Sequence, residues 1–439
     1  MAFERAQLGL TAAIAATCLV SIFAAQVLLA GAAAVLGTRL LLRRAKLPRT
    51  ALDGPVLAFC VWTLLSASFS PDPVDSHENA KKLVLFLVLY LAVEALAEPA
   101  SREAVLDAAT LSGLVLAGGT LLQYYLLGFD TLENRPRSFL GHYMTASGLS
   151  MSVLVLGAAR LALRPGPRPA IGLRHLAPLG WIGLALAALA LLQKTRVFAL
   201  EGERLLVAGL AVAAATAALV PARRLAPGAS VALSMATLAV SAWALVLSRT
   251  RGAWLGALAG LAVVAVMRAP RTLWLLAAAV VGLLLLRPAP IMERLTVSDA
   301  SSRDRYYMWQ AGIDMILEKP IFGQGPGQVE RVYPGYRWPD APNPQAPHLH
   351  DNAVQIAAEL GLPGLVFWIW MMAAAMGEAY RLARHGPERE AGTAALGVLT
   401  ALMVAGAFEY NFGDSEVLMF VLIVAALPYA VARRRAANA

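Results

Sequence analysis

Residues 346–376 read APHLHDNAVQIAAELGLPGLVFWIWMMAAAM. A polar head, with His348, His350, Asp351 and Asn352, runs straight into an apolar stretch at 353–380. About 20 apolar residues in helix cross the hydrocarbon of a bilayer. The stretch therefore predicts a transmembrane helix whose mouth carries two histidines. Pro347 disfavours helix in the residue before it, and Asp351 or Asn352 can cap the helix that starts there. Such a helix start also attracts anions. What this mouth can do depends on the side of the membrane it faces.

The rest of the chain has the same character. Of 439 residues, 59% are hydrophobic and 15% charged, against about half and about a quarter in soluble domains. The mean hydropathy is +0.62. Further apolar runs fall at roughly 8–42, 54–69, 83–97, 104–127, 144–163, 177–193, 204–220, 229–247, 252–267, 272–286, 391–408 and 417–431. The first is long enough for two short helices. Backbone groups in lipid must be paired internally, so the runs predict helices. The fold expected is an all-α integral membrane protein of about 12 (12–14) transmembrane helices. Residues 1–286 form its N-terminal spans, 287–352 one large external loop with short helices, and 353–439 its C-terminal spans, in one integrated membrane domain. No cleavable signal peptide is evident. Cys18 and Cys60 lie in apolar runs and imply neither a disulfide framework nor a metal cluster.

Orientation follows from the basic residues. The net charge is +9, and in a chain of this class it reads as topology-setting loops, not as nucleic-acid binding. Basic residues concentrate in one alternating set of loops: 39–49, Arg160 to Arg174, Arg223 and Arg224, Arg268 to Arg271, Arg381 to Arg389 and Arg433 to Arg435. The positive-inside rule makes that set cytoplasmic, with both termini inside. The 287–352 loop, and the histidine mouth at its end, then face outward. A connection this long tends to be functional.

On the outer side the arginines come in clusters: Arg135 and Arg137 with His142, Lys194 and Arg196, Arg249 and Arg251, Arg303 and Arg305. A single one reads first as a snorkelling side chain. Several on the disfavoured side point to an anionic ligand, since guanidinium groups pair with phosphate oxygens. A lipid-linked diphosphate suits that depth. His350, beside an anion-friendly helix start, can take a proton from an attacking hydroxyl; His348 is the alternative base, and a structural histidine the plainer reading. His348, His350 and Asp351 could seed a zinc site, but no other His or Cys in the loop completes it, so no metal and no cofactor is expected. On a regular helix Glu359 lies opposite His350 and shares a face with Gln355, which suits a role in tying helices together. RYYMWQAGIDMILEKPIFGQGPG (305–327) reads as an amphipathic helix ended by Lys319-Pro320, then a glycine-rich turn too weak to be a phosphate loop. In FEYNFGDSEV (408–417), Glu409, Asp414 and Glu416 could orient a base or bind an acceptor, or simply form an acidic loop.

Taken in order over roughly 248–364, SRTRGAW, the 305–327 run and HLHDNAVQIAAELGLPG resemble the motifs of the O-antigen ligase and polymerase superfamily. Asp351 departs from that pattern, which often has asparagine there. The resemblance implies a GT-C-like, polyprenol-dependent glycosyltransferase of the bacterial inner membrane, active on its periplasmic face. Its donor would be an O-antigen glycan on undecaprenyl diphosphate, its acceptor lipid A–core, and its other partners membrane lipids. By the resemblance His350 is the base, and Arg251 and Arg305 hold the diphosphate. Arg135, Arg137, Arg196, Arg249 and Arg303 are added from position and charge. His348, Asp351, Asn352, Gln355, Glu359 and Asp414 are candidates for support or acceptor binding. The absence of an Asp-x-Asp motif suits metal-free, one-step and therefore inverting transfer. The motifs leave open O-antigen polymerisation and protein O-glycosylation from the same donor. A transporter of an anionic lipid is less favoured, because its site would lie near the midplane.

Overall fold

The computed structural model describes residues 2–43, 45, 47–163, 227–296, 300–386 and 388–438. Among them every regular element is a helix. The first apolar run is indeed a pair, α1 (Ala2–Thr17) and α2 (Ile22–Leu41), broken where Ser21 caps α2. Next come α3 (Asp53–Ser68), α4 (Pro73–Ala80), a 3-10 stretch (Lys81–Phe86), α5 (Leu87–Ala95), α6 (Pro99–Leu126) and α7 (Tyr143–Leu163). After the gap follow α8 (Pro227–Leu247), α9 (Arg251–Arg268) and α10 (Leu273–Leu286). The 287–352 segment holds α11 (Ala289–Thr296), α12 (Ala300–Glu318) and α13 (Val329–Tyr336). The chain closes with α14 (Asn352–His385), α15 (Arg389–Gly406), α16 (Ser415–Ala425) and α17 (Leu427–Asn438).

Seven helices among the described residues are long and apolar enough to cross a membrane: α2, α6, α7, α8, α9, α14 and α16 continued through α17. Three shorter apolar helices accompany them, within α1, α3 and the 270–286 segment. The described residues are thus all-helical, and the chain reads as a multi-pass membrane protein. The runs at 177–193 and 204–220 lie outside the described residues. The run at 83–97 is not one helix: a 3-10 stretch takes its first part and leaves α5 nine residues.

The centre is built on small residues. Gly256 and Gly260 of α9 lie against the Ala401 and Gly397 carbonyls of α15 and against Met151 and Val155 of α7. Lipid gives apolar helices little reason to associate, so close backbone approach through glycine and alanine takes over that task.

Polar groups sort to the two ends of the bundle. At one end Arg160, 3% exposed, meets Asp107 at 2.8 Å, Glu103 at 2.9 Å and Glu390 at 3.9 Å, while Arg102 pairs with Glu388 and Arg39 with Glu94. These are the arginines and ends of the basic loop set. At the other end Ser147 meets Thr250 at 3.0 Å, Thr145 donates to Asp414 at 2.9 Å, and Asn352 donates to Asn411 at 2.8 Å. The starts of α7, α9, α14 and α16 are therefore neighbours at this second end.

Candidate active site

Four segments converge there. Gln123 of α6 is buried; its Oε1 accepts from the Arg137 and Ser138 N–H groups at 2.8 and 2.7 Å, and its Nε2 donates to the Ser138 carbonyl. That fixes the turn before α7 and sets the Arg135 guanidinium 4.5 Å over the Tyr143 ring. The Ser147–Thr250 contact fixes the first residue of α9, Arg251, which donates to Ser302 Oγ at 2.8 Å. Arg294 comes from α11 and Arg305 from α12. Arg135, Arg251, Arg294 and Arg305 line one cleft together with Glu409 and Asn411. Burial, and then the charges of Arg135, Arg251 and Arg305, draw the Arg294 guanidinium down to about 10. Four cations thus share one field, an arrangement whose natural counterpart is a multiply charged anion.

The histidine mouth is positioned by backbone capping. His350 takes a left-handed conformation, φ 52°, which is uncommon for a residue with a Cβ. Asp351 caps α14 by accepting from the Val354 N–H at 2.8 Å, and Gln355 Oε1 accepts from the Leu349 N–H at 2.7 Å. Asn352 is buried. It donates to Asn411 and accepts from the Phe412 N–H at 3.1 Å, so α14 carries the 407–414 turn with it. That turn delivers Glu409. Its Oε2 lies 2.8 Å from His350 Nδ1 and its Oε1 3.4 Å from His348 Nε2.

These contacts set the proton positions. A carboxylate beside Nδ1 places the His350 proton on that nitrogen and leaves the lone pair on Nε2. His348 Nδ1 accepts from the His350 N–H at 3.4 Å, which leaves its own proton on Nε2, toward Glu409. Burial draws His348 down to about 4 against the pull of Glu409. Burial alone would raise the Glu409 carboxyl; the hydrogen bond and charge of His350, with the charges of His348 and Arg305, more than reverse this and leave it below the usual range. The result is an ionised carboxylate that fixes the orientation of the His350 ring, as an acid orients a base.

Behind the mouth, α14 kinks at Gly361 (φ 69°) and the glycine-rich turn docks there. The Gln324 and Gly325 N–H groups donate to the Ala358 and Glu359 carbonyls, and the Leu362 N–H to the Pro320 carbonyl, each at 2.8 Å. Glu359 Oε1 accepts from the Gly327 N–H at 3.0 Å and from Gln355 at 2.8 Å. Gln355 and Glu359 therefore tie the glycine-rich turn to the helix, and Gln355 also holds the Leu349 backbone between the two histidines.

The remaining candidates fall as follows. Arg249 turns from the cleft to Glu293, 2.7 Å away, under the Tyr124 ring. Arg137 lies over Phe129, 5.9 Å from its centroid, and Arg303 is exposed; neither lines the cleft. Arg196 lies outside the described residues. Asp414 bonds Thr145 at the foot of α16. Sequence reasoning passed over Arg294, which looks like an ordinary helical arginine in IMERL. It named Glu409 without linking it to the histidines, and the expectation that nothing completes a His348–His350 donor set considered only the 287–352 loop, whereas the third group comes from the 407–414 turn.

A family model described as O-antigen ligase matches residues 236–369. That segment contains Arg251, Arg294, Arg305, His348 and His350, while Arg135 and Glu409 are supplied from outside it. A Rickettsia conorii protein named "Putative polysaccharide ligase" is 29% identical over 96 residues, 20% of this chain and 22% of that protein. The chain therefore spans about a fifth of the length of that curated relative. Three of the four cleft arginines and both histidines of the mouth thus lie in the segment, residues 236–369, that matches the O-antigen ligase family model.

Proposed function

We propose that the chain transfers an O-antigen glycan en bloc from undecaprenyl diphosphate to a sugar hydroxyl of lipid A–core, at the periplasmic face of a bacterial inner membrane. The observation that carries this is the four-arginine cleft closed by Glu409, the same carboxylate that holds His350. In this reading the protein is a GT-C-like glycosyltransferase of about 12 spans, with both termini cytoplasmic and the 287–352 loop outside.

The chemistry follows from what a sugar diphosphate lacks. Its leaving group is good, and its acceptor hydroxyl is a poor nucleophile. His350 Nε2 takes the hydroxyl proton as the oxygen bonds to the anomeric carbon. The bond from that carbon to the diphosphate oxygen breaks, and its electron pair leaves with the diphosphate. Arg135, Arg251, Arg294 and Arg305 stabilise the charge that develops there. Glu409 stabilises the imidazolium that forms. A single displacement inverts the anomeric centre. The scheme asks nothing of a metal.

The test is transfer by purified protein from lipid-linked O-antigen to lipid A–core in the presence of EDTA. Wild type is expected to give the glycan ladder. His350→Ala and Glu409→Gln are expected to lower kcat by about 10²–10⁴ with little change in donor KM. Chain growth between donors without transfer to lipid A–core would replace the ligase by a polymerase.

A further inference from the structure

We propose that His348, His350 and Glu409 also form a binding site for a zinc-class transition metal ion, and that the bound ion holds His350 in the tautomer that cannot accept a proton. The donor atoms of the three side chains all lie within 4.8 Å of one another. Two of the pairs, at 2.8 and 3.4 Å, share the Glu409 carboxylate. Two ligands at about 2.0–2.1 Å from a tetrahedral zinc stand roughly 3.3 Å apart, so small side-chain adjustments seat an ion. Two imidazoles and one carboxylate are the donors that zinc and its neighbours in the transition series accept, whereas magnesium and calcium take oxygen. Three protein ligands leave a fourth position for water. The side chains are 24%, 17% and 13% exposed for His348, His350 and Glu409, so an ion can reach them. The backbone that holds them is already braced by the Asn352–Asn411 bond and the Asp351 cap.

The consequence for His350 is one of proton position. Without an ion, its proton sits on Nδ1 toward Glu409 and its lone pair on Nε2. An ion bound through Nδ1 needs the lone pair there, so the single ring proton moves to Nε2. Glu409 passes from accepting an N–H to binding the metal. His348 makes the matching change, ligating through Nε2 and carrying its proton on Nδ1, which ends its acceptance of the His350 N–H. The nitrogen that would receive the acceptor's proton is then already occupied. The inhibitory half of the proposal rests on His350 being the base; the binding half does not.

The experiment uses full-length protein with an affinity tag free of histidine, in detergent, stripped with EDTA and exchanged into metal-free buffer. Zinc chloride is titrated in competition with a chromophoric chelator, and magnesium chloride is titrated separately. The expected result is one saturable zinc site per chain, no magnesium binding there, and affinity weakened at least about tenfold by His348→Ala. His348→Asn, which keeps a donor for Glu409, serves the same end if the alanine variant does not fold; His77→Ala is the control and should bind as wild type. Zinc should then block glycan transfer with the same midpoint as binding, and EDTA should restore it. No saturable binding, or binding indifferent to both His348 variants, overturns the site. Faster transfer with zinc overturns the tautomer argument. Saturable, His348-dependent binding by a protein that transfers no glycan under any condition supports the site and overturns the ligase reading instead.

Discussion

Asp414 shows how strongly one side chain here depends on its burial. Its Oδ2 accepts from Thr145 at 2.9 Å, at the foot of α16. Burial pushes its carboxyl up to about 7; the charges of Glu409 and Glu416 act in the same sense, and the Thr145 bond and Lys82 oppose them. In the unfolded chain such a group titrates near about 3.9. Between those values the folded protein keeps a proton that the unfolded chain has released, so stability falls as pH rises through that window and levels off above it. Asp414→Asn has no proton to lose. Its melting temperature in detergent should decline less than that of wild type from pH 5 to pH 8, and should exceed wild type at pH 8; an unchanged slope would remove Asp414 as the cause. The same dependence on neighbours explains what could be read at this scale. His350, Arg251 and Arg305 stand in short ordered runs, and the resemblance of those runs to a known family singles them out. Glu409 lies 59 residues from His350, and an acid in a short loop has no local mark that distinguishes it from a solvated one. Its role exists only because Asn352 and Asn411 bring two chain segments together.

At the scale of elements, the end of α12 before Lys319-Pro320 and the cap at Asp351 follow from local rules, and both are observed. The purpose of GQGPG does not. It is a docking turn: Gly323, Gly325 and Gly327 all have positive φ, and its N–H groups satisfy carbonyls that the kink at Gly361 frees. Trp62 of α3 donates to the Leu360 carbonyl at 2.8 Å, and Ser66 to the Phe322 carbonyl at 2.6 Å, so a third helix seals the junction. Hydrogen bonds between backbones distant in sequence leave no residue pattern beyond the glycines themselves. A Cβ at Gly361 would overlap the Ile321 carbonyl in a conformation side chains avoid. Gly361→Ala should therefore cost about 1–3 kcal/mol from backbone strain, and more from the clash. It should lower the melting temperature and detach the loop from the helix that carries the histidines. Gly377→Ala, with open space around it, should match wild type or exceed it slightly, because alanine suits helix better than glycine. Equal melting temperatures for the two variants would refute the docking role.

Across the whole molecule, the charge pattern along the chain becomes a two-ended object. The arginines of the basic loops are drawn into buried pairs at one end, Arg160 with Asp107 and Arg102 with Glu388, while Arg135, Arg251, Arg294 and Arg305 share a cleft at the other. The first end pairs its arginines with carboxylates from neighbouring helices; at the second the arginines share one cleft with Glu409. Among the described residues, hydropathy located the apolar helices well and their lengths poorly. Where apolar residues meet a 3-10 stretch, as at Lys81–Phe86, composition stays constant while the helix stops. Which end faces outward rests on the positive-inside rule, and labelling decides it. In a background with Cys18 and Cys60 replaced, Gln345→Cys lies on the exposed surface of the large loop and Arg433→Cys on the exposed face of α17. An impermeant maleimide applied to cells with only the outer membrane permeabilised should label residue 345 and spare residue 433 until the cells are lysed. The reverse pattern would turn the arginine cleft toward the cytoplasm. A donor and an acceptor that meet outside could not then reach His350, and the transfer proposed here would fail on geometry before any chemistry was measured.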